Sequence, residues 1–566
     1  MRKNVKQQLA LRVLSTAALM AMVSSIATAA FADTYDLNKG SVDILAEGGK
    51  QYITQWKDES KSTYATDDNG EIKKRQDDDI TLTTKDETAH NTVTIDAKEG
   101  NTANVTLQDV HLEVDTAKTN SGAIEIKGDG NTNLELNGDN TVLTTNDWRE
   151  EHAAIEKADK YGKGTLTIKD DLNDKGEEKT STDEDSTLLA GGFHEAAAIG
   201  GGDVDDLRDT SNITITGGKI TAIAGNDGAA AIGGGSGGTG KNIRIEGNAD
   251  VTAAAGMGAA IGGGCGSGNS VTITDDAVVN AYSAYDAAIG GGDSEGPLNR
   301  PSTITISGNA TVHAETTQGG CAIGSGRRGS CSDLTINIEE NANVTAIGSH
   351  GRPAIGNDRC AEGTTTTINI TGGTVNAINS YGSDDPSYPN DGTRETGPVI
   401  GATMEDDHGG TCNVNINSST GDTVVNAYIY GKGSGPAVGS TIRNYNHTTY
   451  DYEYQYVPAD SVSYNADGSS HFGEINSAIV NCYQNGAAPK EGELGLPGTK
   501  DEGALNHIDY RHKITGGTLT KVVHNRKYMD ENPNIDTKKL EDEDLHDWKL
   551  VGKVVEPTTE KDGYAD

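Results

Sequence analysis

The sequence predicts an all-β chain wound as a right-handed parallel β-helix with about 30 residues per coil. Three observations predict it. A glycine-rich token returns eight times: EAAAIGGG, GAAAIGGG, MGAAIGGG, DAAIGGG, CAIGSG, PAIGND, PVIGAT and PAVGST. Between the tokens lie stretches that alternate apolar and polar residues. The composition, with 73 glycines and only three phenylalanines, suits a thin core of Ile, Val and Ala stacked coil upon coil.

The residue before the first glycine of each token marks the period. These markers are Ile199, Ile232, Ile261, Ile289, Ile323, Ile355, Ile400 and Val438, with successive gaps of 33, 29, 28, 34, 32, 45 and 38. Such spacing is the signature of a solenoid. Within one period, Ile213-Thr-Ile215 is a half-buried strand by its alternation. Gly-Gly, Gly-Asn or Asp-Asp then supplies a turn that needs positive φ or side-chain-to-backbone bonds. A second short strand follows, as at Ile220-Thr-Ala222, and the token itself is a third that ends in a glycine corner. Three strands and three corners make one coil. A sandwich has no reason to repeat one token eight times. A propeller repeats at 40 residues or more. Right-handedness follows from the general rule for parallel crossovers.

Weaker copies extend the pattern in both directions. Val93-Thr-Ile95, Val105-Thr-Leu107, Leu134-Glu-Leu136 and Leu166-Thr-Ile168 alternate in the same way, and Gly122-Ala-Ile124 and Ala153-Ala-Ile155 are decayed markers. Lys513-Ile-Thr-Gly-Gly-Thr518 echoes the strand and turn near the other end. Ahead of all this, Arg2, Lys3, Lys6 and Arg12 precede an apolar stretch from Val13 to Ile26, and Ala30-Phe-Ala32 offers a cleavage site. This is a secretory leader. The expected organisation is a signal peptide over 1–32, a capping segment over 33–77 and the β-helix over 78–443. A tyrosine-rich insertion follows over 444–506, then a final rung over 507–526 and an acidic linker over 527–566.

The formal charge is −39, and −43 once the four basic residues of the leader are removed. So acidic a chain is repelled by nucleic acid and by anionic lipid. No later segment is apolar enough to span a bilayer as a helix, so direct membrane insertion is not expected. The six cysteines allow fifteen pairings. Stacking places Cys265 and Cys360 three coils apart, too far to bridge. Cys321 with Cys331, or Cys360 with Cys331 or Cys412, stay open, as do free thiols.

Several groups are candidates for function. Tyr450, Tyr452, Tyr454 and Tyr456 recur with period two, which gathers four rings on one strand face. Such a ribbon suits stacking on sugar rings or gripping a protein, or packing against the solenoid flank. Arg327 and Arg328, with His350 and Arg352 one repeat later, form a basic spot that an acidic sugar would fit. Acidic clusters follow three tokens: Asp203, Asp205 and Asp206; Asp293 and Glu295; and Glu405, Asp406 and Asp407. Oxygen-rich edges of this kind can hold Ca²⁺, the one cofactor the sequence suggests, although no EF-hand loop or calcium β-roll series is present. The clustered carboxylates and paired acid and base that pectate-lyase-type or polygalacturonase-type chemistry needs are not found.

The AAIGGG corner joined to I-T-I-T-G-G-x-V strands resembles glycine-rich repeat proteins of gut Firmicutes, over roughly residues 190–440. These are adhesin-like or carbohydrate-binding parallel β-helix surface proteins with the pectin-lyase type of fold. The resemblance implies a non-catalytic exported protein that binds glycans or host or microbial surface molecules along a rigid rod. A lyase or hydrolase of acidic polysaccharide, and a passive stalk, are the alternatives. At the far end, Val554-Val-Glu-Pro-Thr-Thr-Glu-Lys-Asp-Gly-Tyr564 resembles the opening of small repeats that terminate Gram-positive surface proteins, with Thr in place of their usual Cys.

Overall fold

The computed structural model describes residues 33–523. It leaves out 59, 86–87, 146–150, 173–184, 204, 225–226, 266–268, 293–301, 318, 328–332, 349–351, 361–362, 380–396, 406–409, 419–422, 430–437, 447–450, 457–473, 477–478, 485–512 and 515–517. For 205, 404–405, 428–429, 442–446 and the strands from 451 onward, only the backbone is described.

The chain forms three long sheets of 14, 12 and 15 strands. One coil gives one strand to each. In the coil that begins at the third token, Ile261–Gly262 joins the 15-stranded sheet, Asn269–Ile273 the 14-stranded sheet and Val278–Ser283 the 12-stranded sheet. Every strand of the winding pairs in parallel with its counterpart one coil away, for example Ile304 with Val271 below and Ile336 above. The architecture is a parallel β-helix. At the 4.7–4.9 Å strand spacing, 14 strands make a rod of roughly 60 Å. Among the described residues the longest α-helical piece is Thr116–Thr119, and no helix is long and apolar enough to cross a membrane.

The core is a set of columns. Ile155, Ile199, Ile232, Ile261, Ile289, Ile323, Ile355, Ile400 and Val438 are register partners in succession, and all are fully buried. The decayed markers belong to the same column, since Ile155 pairs with Ile124 and Ile124 with Val93. A facing column in the 12-stranded sheet runs through Ala222, Ala253, Ala281, Ala314, Ala346, Ala377 and Ala427. Large residues opposite small ones keep the bore narrow, so a core with few aromatics still closes.

The corner between the 14-stranded and the 12-stranded sheet is the turn expected from the sequence. Gly247, Asp275, Gly308 and Glu340 hold it with φ of 67, 60, 68 and 59°. The token corner has a different cause. Gly200, Gly233, Gly262, Gly290, Gly324, Gly356, Gly401 and Gly439 all have φ between 134 and 147°. A Cβ on Gly324 would lie 1.8 Å from the carbonyl oxygen of Gly356 in the next coil. At this φ a Cβ would point into the carbonyl of the neighbouring coil, so only glycine fits the corner.

Both ends of the 15-stranded sheet turn antiparallel. At one end Val42–Glu47 pairs in parallel with Val93–Ala97, and Lys50–Gln55 folds back on it. At the other, Asp451–Tyr456 folds back on Val438–Asn446. The edge that would otherwise template another chain is thus closed by a hairpin.

Cys321 and Cys360 are free thiols. The candidate bridges from Cys321 and Cys360 are therefore not formed. Burial pushes both the Cys321 and Cys360 thiols above their ordinary range, and the Cys360 sulfur lies 3.6 Å from the Thr411 carbonyl. These cysteines act as small apolar fillers.

Candidate functional site

The outer side of the 15-stranded sheet carries a close group of ionisable side chains. It lies where the token column begins. The residues that follow the successive markers Val93, Ile124, Ile155 and Ile199 are Thr94, Glu125, Glu156 and Gly200, each a register partner of the next. Strand alternation turns the isoleucines inward and these residues outward. Glu125 and Glu156 are nevertheless buried, because the segments around Glu151 and Gly202 wrap over the sheet.

Glu156 is fully buried. Its Oε2 lies 2.8 Å from His152 Nδ1 and accepts from the Ala153 backbone N–H at 3.1 Å. Its other oxygen, Oε1, is buried with no hydrogen-bond partner. In the coil below, Glu125 Oε2 is 2.7 Å from Lys127 Nζ and 3.5 Å from Thr94 Oγ1. Tyr161 faces both carboxylates, and burial together with their negative charge pushes its phenol well above the usual range. The Lys127 ammonium lies 4.5 Å from the centre of the same ring. Beside them Lys157 is buried and donates to the Gly162 carbonyl at 3.1 Å, and burial lowers its pKa. One donor atom each from Glu125, His152 and Glu156 lies within 4.8 Å of the others.

A second group adjoins the first along the chain. His194 lies between two carboxylates, with Nδ1 2.9 Å from Glu151 Oε1 and Nε2 2.9 Å from Asp227 Oδ2. Its φ of 53° is a left-handed backbone that a non-glycine residue adopts only when its surroundings hold it. Glu151 Oε2 accepts from the Glu195 N–H at 2.9 Å, and the Glu151 carbonyl accepts from the Asp203 N–H at 2.8 Å. The Asp203 carboxyl is pushed up to about 8, first by burial and then by the hydrogen-bonded Glu195 carboxylate, while Arg208 pulls the other way. Glu151, His194 and Glu195 also bring three donor atoms within 4.8 Å of one another.

The residues singled out from the sequence fall elsewhere or are otherwise engaged. Asp203 joins this second group, with Arg208 Nε 2.8 Å from its Oδ1. Asp206 is exposed and lies 3.6 Å from Lys160. Asp205 stands in the short turn Asp205–Leu207, described by its backbone alone. Two of the three carboxylates in this first of the clusters expected to hold Ca²⁺ thus face cationic side chains. Glu405 ends the strand Ile400–Glu405 with its side chain outside the description, and Asp293, Glu295, Asp406 and Asp407 lie outside the described residues. Arg352 is buried against Asp358, so its guanidinium serves the interior. Arg327 lies over the Tyr285 ring at 5.6 Å, and its N–H donates to Asp286 at 3.0 Å. Arg328 and His350 lie outside the described residues. Of the tyrosine ribbon, Tyr450 is outside them too. Tyr452, Tyr454 and Tyr456 form the last strand of the 15-stranded sheet, opposite Tyr445, Arg443 and Thr441.

A further feature runs along ten strands of the 14-stranded sheet. One outward column passes through Asn104, Asn133, Thr167, Thr214, Arg244, Thr272, Thr305, Asn337, Asn369 and Asn415. Neighbouring amides are hydrogen-bonded: Asn133 to Asn104 at 2.8 Å, Asn369 to Asn337 at 2.9 Å and Asn415 to Asn369 at 2.9 Å. The column is half-buried over most of its length and presents hydroxyls and amides at a fixed spacing.

Comparison with known proteins bears on the fold. A family described as "Beta helix repeat" matches residues 213–236, 304–327 and 368–384. No curated protein and no solved structure matches the chain.

Proposed function

We propose that this is an exported, non-catalytic, adhesin-like protein that binds carbohydrate or cell-surface ligands along the side of a rigid β-helix. The observation that carries the reading is the outward Asn and Thr column of the 14-stranded sheet. Amides and hydroxyls both donate and accept, as sugar hydroxyls do. Repetition at about 4.8 Å per coil offers many shallow contacts to a repeating polymer, and linked weak contacts raise avidity without any deep pocket. The leader-like residues 1–32 support export.

A glycan array tests it with the wild-type chain and with a variant carrying Thr214→Glu, Thr272→Glu and Thr305→Glu. The reading expects saturable glycan binding that the triple variant loses while its circular dichroism is unchanged. Equal binding by both chains, or none by either, sinks it.

Asp203 favours a second reading, a lyase or hydrolase of acidic polysaccharide. A carboxyl held at about 8 is a proton donor at neutral pH. It ranks second because Asp203 and Glu195 are directly hydrogen-bonded. Paired glycosidase carboxyls stand about 5 Å or more apart. Incubation with polygalacturonate, followed by assay for unsaturated products or new reducing ends, separates the two readings.

A further inference from the structure

We propose that Glu125, His152 and Glu156 form a binding site for one divalent first-row transition ion of the Zn²⁺ class, on the outer side of the 15-stranded sheet. The argument starts from Glu156. A fully buried carboxylate oxygen without a partner is rare and calls for an explanation. The Tyr161 phenol approaches both carboxylates from the same side. The neighbouring buried carboxylate, Glu125, adds a like charge within 4.8 Å. Two carboxylates so placed cost free energy unless a cation lies between or beside them. Lys127 answers one of them, from the rim, with about a third of its side chain exposed.

The donor set selects the ion. Two carboxylate oxygens and one imidazole nitrogen suit zinc and its neighbours, whereas Ca²⁺ takes six to eight oxygens. Such ions bind these donors at about 2.0–2.2 Å. Donor atoms already within 4.8 Å of one another close on an ion by small side-chain rotations. Lys127 can swing outward when the ion takes over its role, so loading does not require the core to open. The ring nitrogen of His152 that binds the ion must be unprotonated, and its proton leaves to solvent.

The backbone supports the geometry. Glu125 and Glu156 are fixed by the parallel register of adjacent coils, and His152 lies four residues before Glu156. The Glu151 carbonyl is anchored by the Asp203 N–H, which ties the chain next to His152 to the wrapping segment. A Cβ on Gly202 would lie 3.0 Å from Glu156 Oε2, so only glycine leaves the carboxylate room to move. The second group differs because its carboxylates are already engaged, by His194, Arg208 and the Glu195 N–H.

Equilibrium dialysis of the tag-free full chain against ZnCl₂ at pH 7.5 tests the site, with CaCl₂ as competitor. The expected result is one saturable equivalent that Ca²⁺ does not displace. Glu156→Gln and His152→Gln should each weaken it by about 100-fold or more, and Glu195→Gln should leave it unchanged. Zinc K-edge absorption of the loaded wild-type chain gives an answer that does not depend on any variant folding. An imidazole-and-oxygen shell supports the assignment, and a sulfur-containing shell from the free cysteines overturns it. Absence of saturable binding, or loss of binding in Glu195→Gln with none in Glu156→Gln, also overturns it.

Discussion

The coils before Gly200 and those after it share one inner column but differ on the outside. In both, a buried isoleucine faces the bore and pairs with its equivalents. The next residue is Glu125 or Glu156 in the early coils and glycine from Gly200 onward. The glutamates keep negative φ, whereas the glycines hold φ of 134 to 147°. Both carry the same ladder bond, Lys157 N–H to the Gly200 carbonyl at 2.8 Å and Gly291 N–H to the Gly324 carbonyl at 3.0 Å. The inner column therefore sets the coil, while the residue after it decides what the outside becomes. Glycine permits a corner whose φ would drive any Cβ into the neighbouring coil. Glutamate leaves room between the sheet and its wrapping for a buried polar group.

The sharpest way to break this contrast is to put a Cβ into the glycine column. Gly324→Ala should cost about 4 kcal/mol, from backbone strain and from the clash with the Gly356 carbonyl. Glu125→Ala, at the equivalent position of an early coil, should cost less than about 2 kcal/mol. Urea unfolding of the two variants compares them, and equal losses would remove the distinction. Next in size is the shared column. Ile323→Ala and Ile155→Ala should each cost about 3 kcal/mol, because each leaves a cavity in the same kind of stack. A much smaller loss at Ile155 would mean that the early coils are packed differently. Converting one kind of coil toward the other is milder. Glu156→Gly strips an acceptor from His152 and from the Ala153 N–H, and should lower stability by about 2 kcal/mol by the same measure.

The winding was legible because it rests on local repetition. The eight markers stack as read, and so do the decayed markers Ile124 and Ile155, since an inward isoleucine every coil is both a sequence signal and a structural need. The turns at Gly247 and Asp275 were legible for the same reason. The buried Glu and His groups were not, because they are built from what breaks the repeat. A signal was present nonetheless: Glu stands where glycine stands in later tokens, at Glu125 and Glu156, with His152 just ahead, and His194 immediately precedes the first full token, which opens on Glu195. Reading the tokens for their isoleucines passed over them. Arg352 shows the converse limit. Its sequence neighbours suggest an exposed basic corner, but its partner Asp358 folds back and takes it inside.

The smallest expected effect lies at the boundary between the two kinds of coil, at Asp203. Its carboxyl titrates near 8 in the folded chain against an ordinary 3.8, so the folded state holds its proton more tightly than the unfolded one. Stability from this group is then fully present below about pH 4, falls as pH rises, and is gone above about pH 8. Asn in its place stays neutral and can still donate to Glu195. Asp203→Asn should therefore match the wild type at pH 4 and exceed it at pH 8.5, by about 1–2 °C in melting temperature, since water reaching the site screens part of the effect. A melting difference that stays flat between those two pH values would show that Arg208, 2.8 Å away, already holds Asp203 ionised. The boundary would then be an ion pair and not a shared proton.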